Sequence, residues 1–174
     1  MDRQELATRL KDAAYLEGDF VLRSGRRSRY YFDKYLFETD PALLKPVAEA
    51  LAGMLPEGVS RLAGAELGGV PLAAATALET GLPYVIVRKE SKGYGTENRV
   101  EGRLEAGERV ALLEDVVTTG GASLKAAEAL RAAGCEVSVL VVLDRQEGAE
   151  EAFREAGVEY RALFTSESMG IGGK

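Results

Sequence analysis

The stretch RVALLEDVVTTGGASLKAAEALRAAG, from Arg109 to Gly134, admits few folds. Val110 to Leu113 is apolar without alternation, the pattern of a strand covered on both faces in a parallel sheet. A run this short also suits a buried helix, and its position before the glycines decides for the strand. Beyond Gly120 and Gly121, Leu124, Ala127 and Leu130 recur at helical spacing, and Gly134 closes the segment as a C-cap. The unit reads strand, loop, helix. Loops at the carboxyl ends of parallel strands are where open α/β sheets bind ligands.

That loop carries Glu114, Asp115, Thr118, Thr119, Gly120 and Gly121. Its second half offers hydroxyls and backbone N–H groups at a helix N-terminus, which favours an anion such as phosphate. The two acids would repel that phosphate, so their presence makes sense if the ligand is a phosphorylated sugar whose hydroxyls donate to them, or if they help to hold Mg²⁺. A plain acidic strand end before a Gly-rich turn is the alternative for the acid pair alone. The full wording EDVVTTGGAS is rarer. It resembles the phosphoribosyl pyrophosphate (PRPP) signature of the type I phosphoribosyltransferases, and most of all that of the orotate phosphoribosyltransferase family.

The 174 residues, 46% of them hydrophobic, should form one domain over 1–174 that buries roughly 70% of the surface its unfolded chain would expose. A net charge of -6 argues against a general nucleic-acid binder. No charged segment leads into an apolar one, and no apolar run approaches the ~20 residues of a membrane helix, so a cytoplasmic protein without membrane partners is expected. One cysteine and no histidine exclude a cysteine or histidine zinc site and leave oxygen ligands for any metal.

Along the chain, Leu6, Leu10, Ala13 and Ala14 predict an amphipathic helix over Arg3 to Leu16, and Phe20 to Phe37 reads as a hairpin turning at Ser24 and Gly25. Residues 1–37 would form a small N-terminal hood. Arg23, Arg26, Arg27 and Arg29 suit either a solvated face or, interleaved with Tyr30, Tyr31 and Phe32, a wall for a flat anionic ring. Asp40 with Pro41 opens a helix carrying Leu44, Val47, Ala48, Leu51 and Leu55. A strand at Ser60 to Ala65 leads into Glu66, Leu67, Gly68 and Gly69, either a tight turn or a second anion loop, with Pro71 set between strand and helix. After a strand at Tyr84 to Val87, the polar stretch Arg88 to Arg109 reads as a mobile surface loop or a cationic lid. Val137 to Leu143 is a further buried strand, ending in Asp144 and Arg145; a short helix over Ala149 to Ala156 and an edge strand over Val158 to Leu163 come next.

Besides EDVVTTGGAS, the segments SGRRSRYYF, ELGGVP, RKESKGYGT and LDRQEG occur in the order of the orotate phosphoribosyltransferase family, with Arg29 in place of a usual proline and Tyr94 where many members have histidine. The resemblance implies an α/β fold: a Rossmann-like parallel sheet flanked by helices, with the hood. It implies PRPP contacts from Arg88, Lys89, Lys92 and Tyr94 and from Glu114, Asp115, Val116, Val117, Thr118, Thr119, Gly120, Gly121 and Ala122. Pyrophosphate would meet Glu66, Leu67, Gly68 and Gly69; orotate would meet Arg23, Tyr31, Phe32, Thr118 and Arg145. Lys92, Lys89 and Asp115 would carry catalysis, with Mg²⁺ held mainly by PRPP and Asp115 as the one candidate protein ligand. The expected activity joins orotate and PRPP into orotidine 5′-monophosphate and pyrophosphate, in a homodimer whose lid lysines serve the neighbouring site. A phosphoribosyltransferase for another base would share the PRPP loop but lack SGRRSRYYF and the lid. A PRPP-sensing regulator binding nucleic acid through Arg23 to Arg29 is the reading from another class.

Overall fold

Asp2 starts the first helix by accepting a hydrogen bond from the Glu5 amide at 2.8 Å, and α1 (Arg3–Ala14) buries Leu6, Ala7, Leu10 and Ala14. The chain then turns directly into β1 (Tyr15–Val21), which pairs antiparallel with β2 (Arg27–Phe32), so the strand takes over two residues before the expected helix end. A single helical turn, α2 (Tyr35–Glu38), has no counterpart among the expected elements. It precedes α3 (Pro41–Gly53), where Asp40 accepts from the Ala42 amide at 2.9 Å. The computed structural model describes residues 1–21, 25, 27–90 and 99–171.

The remaining elements are β3 (Arg61–Ala65), α4 (Gly69–Thr80), β4 (Tyr84–Val87), β5 (Val100–Glu101), β6 (Arg109–Val117), α5 (Gly121–Ala132), β7 (Glu136–Asp144), α6 (Ala149–Glu155) and β8 (Glu159–Thr165). The main sheet has the order β5-β4-β3-β6-β7-β8, parallel throughout except for β5 at the edge. Pro71 lies within the first turn of α4 and not ahead of it, where its missing N–H has no intrahelical partner to lose.

Strand alternation divides the core. Ala111 and Leu113 of β6 and Leu140 and Val142 of β7 pack with Leu10, Leu51 and Leu72, on the face covered by α1, α3 and α4. Val110 and Leu112, with Val139 and Val141, pack with Leu130 and Phe153 under α5 and α6. Such burial on both faces is why β6 and β7 show no polar alternation.

Two corrections bear on the site. Glu114 and Asp115 lie in β6 and not in the loop after it, because β7 is long enough to keep pairing: Glu114 opposes Val141 and Val117 opposes Asp144. Within the polar stretch after β4, the described residues Val100 and Glu101 pair back onto β4 as a strand, Val87 with Val100 and Ile86 with Glu101. From β3 the chain goes outward to β4, then returns past β3 to β6 and on to β7 and β8. Strand order therefore reverses between β3 and β6, and at such a switch point the loops leaving two neighbouring strands part to form a crevice.

Candidate active site

A cavity of about 360 Å³ occupies that crevice, walled by residues 66–68 after β3 and 118–123 after β6. Its floor is the end of β6, where alternation sends the two acids to opposite faces. Glu114, 9% exposed, points toward α5 and accepts from the Ser123 hydroxyl at 2.9 Å. Asp115, 2% exposed, points toward α2 and pairs with Lys34 Nζ at 2.5 Å. Glu38 is buried on the same side, its carboxyl against that of Asp115.

This packing sets the charge states. Burial, aided by the Asp115 charge, pushes the Glu114 carboxyl up to about 7, against which Ser123 and Lys34 pull down. Burial and Asp115 together push Glu38 up to about 9. At Lys34 burial disfavours the charge, but Asp115 more than offsets it and holds the ammonium above its ordinary range. Near neutrality the cluster is thus a lysine ammonium on the Asp115 carboxylate beside a protonated Glu38.

Above the floor, Thr118 and Thr119 are exposed and Gly120 adopts φ +82°, a left-handed turn that delivers the chain into α5. Val116, Val117, Gly121 and Ala122 complete this wall. Across the cleft stand Glu66, Leu67 and Gly68, joined by a cis Glu66–Leu67 peptide bond. Gly69 is buried and begins α4, away from the lining. The Lys89 amide donates to Glu66 Oε2 at 3.1 Å, Arg88 N donates to the Arg99 carbonyl at 2.7 Å, and the Arg99 guanidinium returns two bonds to the Arg88 carbonyl. Lys34, Arg88, Lys89 and Arg99 give the cleft its cations.

The structure thus gathers the expected residues Glu66, Leu67, Gly68, Arg88, Lys89 and Glu114 to Ala122 around one cavity. It does not bring the Tyr31 and Phe32 side chains there. Phe32, expected beside the pyrimidine, is the inward position closing β2 and packs in the core 6.2 Å from the Phe37 ring, while Tyr31 alternates outward against Phe20. Arg145 follows β7 outside the cavity lining, its amide bonded to the Val117 carbonyl and its guanidinium donating to Tyr30 of the hood. Arg23, Lys92 and Tyr94 lie outside the described residues. Sequence reasoning missed Lys34, Glu38 and Arg99, and read Ser123 only as a hydroxyl of the anion turn. Ser123 falls in the quoted motif, and Lys34 follows YYFD directly, but nothing local marks Glu38, whose partner is 77 positions away.

A second cavity of about 350 Å³ lies at the opposite end of β6 and β7, between Arg109 and Arg131. Both arginines are already committed, Arg109 to Glu136 and the Glu57 carbonyl and Arg131 to the carbonyls of Ala156 and Gly157. Among the described residues no group of three or more histidine, cysteine or acidic side chains is arranged to hold a metal ion, and no helix is long and apolar enough to cross a membrane.

An anion turn above paired acids, faced by a second glycine loop across a switch point, defines a protein that grips a phosphorylated sugar between two anionic ends. The phosphoribosyl transferase domain family matches residues 40–155. An orotate phosphoribosyltransferase of Natronomonas pharaonis is 50% identical over 171 residues, covering 97% of this chain and 98% of that protein. The crystal structure of Mycobacterium tuberculosis H37Rv orotate phosphoribosyltransferase with Fe(III) dicitrate has a TM-score of 0.88 at 31% identity, over 98% of this chain and 100% of that one. The same bacterium's enzyme solved with PRPP has a TM-score of 0.83 at 30% identity, over 98% and 100% of the two chains. This chain belongs to the orotate phosphoribosyltransferase family.

Proposed function

We propose that this orotate phosphoribosyltransferase moves the 5-phosphoribosyl group of PRPP onto orotate in the crevice between β3 and β6, releasing pyrophosphate and orotidine 5′-monophosphate for pyrimidine synthesis. The observation that carries the residue assignment is the splitting of Glu114 and Asp115 to opposite faces of β6 directly beneath the anion turn. The 5′-phosphate is received by Thr118 to Ala122, whose hydroxyls and amides face the cleft at the start of α5. Ribose hydroxyls donate to Glu114 and Asp115. As the bond to pyrophosphate lengthens, the sugar takes on oxocarbenium character, and carboxylates fixed beneath it stabilise that charge without reorganising.

Pyrophosphate leaves toward Glu66 to Gly68 and the cations Arg88 and Lys89. Lys92 and Tyr94, outside the described residues, are assigned to PRPP, and Arg23, Thr118 and Arg145 to orotate. Exclusion of water protects the activated sugar from hydrolysis. The donor set around the cleft is oxygen only, which suits a hard cation. Lys34 already occupies Asp115, so Mg²⁺ would be held by the oxygens of PRPP and would neutralise charge on the departing pyrophosphate. Family membership supports the reading of a cytoplasmic homodimer with lid lysines serving the neighbouring site.

Loss of orotate absorbance on mixing protein, Mg²⁺ and PRPP tests the reaction, with uracil and adenine as parallel acceptors. Loss with orotate alone is expected. Turnover of another base instead, or saturable PRPP binding without turnover of any base, overturns the assignment.

A further inference from the structure

Arg145 is fixed from three directions. Its amide donates to the Val117 carbonyl at 2.9 Å, which ties it to the end of β6 one residue before Thr118. Its guanidinium carbon lies 4.9 Å from the centre of the Tyr30 ring, and Nη2 donates to the Tyr30 hydroxyl. A longer contact of 3.8 Å joins Nη2 to Glu147. The arginine side chain is 15% exposed, yet its buried Nε has no hydrogen-bond partner among the described residues.

Tyr30 is itself braced. Its ring stacks on Tyr15 at 5.5 Å with a 25° interplanar angle, and the Ser28 hydroxyl donates to its carbonyl at 2.8 Å. Nη2 is bonded to Tyr30 and Nε is buried, so the donors left for a carboxylate are the remaining N–H groups of the two terminal nitrogens, and contact with the ring holds them in place. Without the ring, a long flexible side chain would have to find that orientation on each binding event.

We propose that Tyr30 is the positioning residue for Arg145, holding its remaining N–H donors toward the carboxylate of the pyrimidine and so setting selectivity for carboxylated over uncarboxylated bases. This rests on the assignment of Arg145 to the orotate carboxylate. The hood thereby gains a chemical role, since a tyrosine of the hairpin aims an arginine of the sheet. If Tyr30 only docked the hood, its loss would weaken every ligand alike.

The test is equilibrium binding of orotidine 5′-monophosphate and uridine 5′-monophosphate, which differ by the carboxylate alone. The Tyr30→Leu change should cut the preference for the carboxylated nucleotide about tenfold, the scale of one charge-assisted contact, while uridine 5′-monophosphate affinity stays within about twofold. Tyr30→Phe, which keeps the ring and loses the hydroxyl, should fall between it and wild type, and its ratio decides the matter if the leucine variant does not fold. Arg145→Ala should abolish the preference, and Tyr30→Leu added to it should change nothing more. A preference that collapses in Arg145→Ala but is unchanged in both Tyr30 variants overturns the proposal and leaves the arginine assignment standing. A preference unchanged in Arg145→Ala overturns both.

Discussion

Gly68 shows how closely the site is built around one side chain. Its φ of -65° is open to any residue, so backbone freedom is not what requires glycine there. Space is: an added Cβ would sit 1.6 Å from Asp115 Oδ2, 2.7 Å from its Cγ and 2.9 Å from Glu38 Oε1. All three atoms belong to buried side chains that cannot swing into solvent. Gly68→Ala must therefore push Asp115 off Lys34 or lift the pyrophosphate loop. Either movement misplaces groups that act only when fixed, so kcat/KM for PRPP should fall by roughly a hundredfold, about 2.7 kcal/mol of transition-state stabilisation. Gly53 at the end of α3 is the control, because a Cβ there meets nothing within 4 Å and its alanine variant should turn over normally. Equal kcat/KM values for the two variants would show that the Asp115 contact does not govern the site.

Elements were legible where their signals are local. The acid cap and proline that open α3 stand together in the sequence at Asp40 and Pro41, and the structure keeps both. Asp40→Ala leaves the Ala42 amide without its acceptor, and should cost about 1 kcal/mol in urea unfolding while orotate turnover is kept. A midpoint indistinguishable from wild type would mean that solvent satisfies that amide equally well. Strand–loop–helix units were legible for the same reason, since glycines and helical spacing come directly after the apolar runs. Extents were not. How far β6 runs past Leu113 depends on β7, whose pairing partners lie 27 positions further on, so the acids passed for loop residues. The two-residue β5 has no sequence signature of its own and exists only as a partner for β4. Likewise Phe32 belongs to an aromatic run that suits a ligand wall, and only the register of β2 against β1 turns it into the core.

Over the whole molecule, three buried or bonded carboxyls set how stability follows pH. Glu114 and Glu38 have folded pKa values raised to about 7 and about 9, above the 4.5 of an ordinary glutamate. Between those limits the folded chain binds more protons than the unfolded one, so unfolding free energy falls as pH rises. Glu108 acts the other way. Its hydrogen bond to Arg61, at 2.8 Å, lowers its pKa, so its contribution is complete above 4.5 and is lost only as pH falls below that value. The signs therefore do not compete in the same window, and the free protein should melt highest in mild acid and progressively lower from pH 5 to pH 9. Glu38→Gln isolates one source, because glutamine copies the neutral acid and cannot ionise. The variant should melt close to wild type at pH 5 and above it at pH 9, with a shallower decline between. A wild-type melting temperature that is flat or rising over this range would mean that Glu38 and Glu114 ionise in the fold as easily as in the open chain. The Lys34–Asp115 pair would then stand beside two full charges, an arrangement that burial of both acids makes costly.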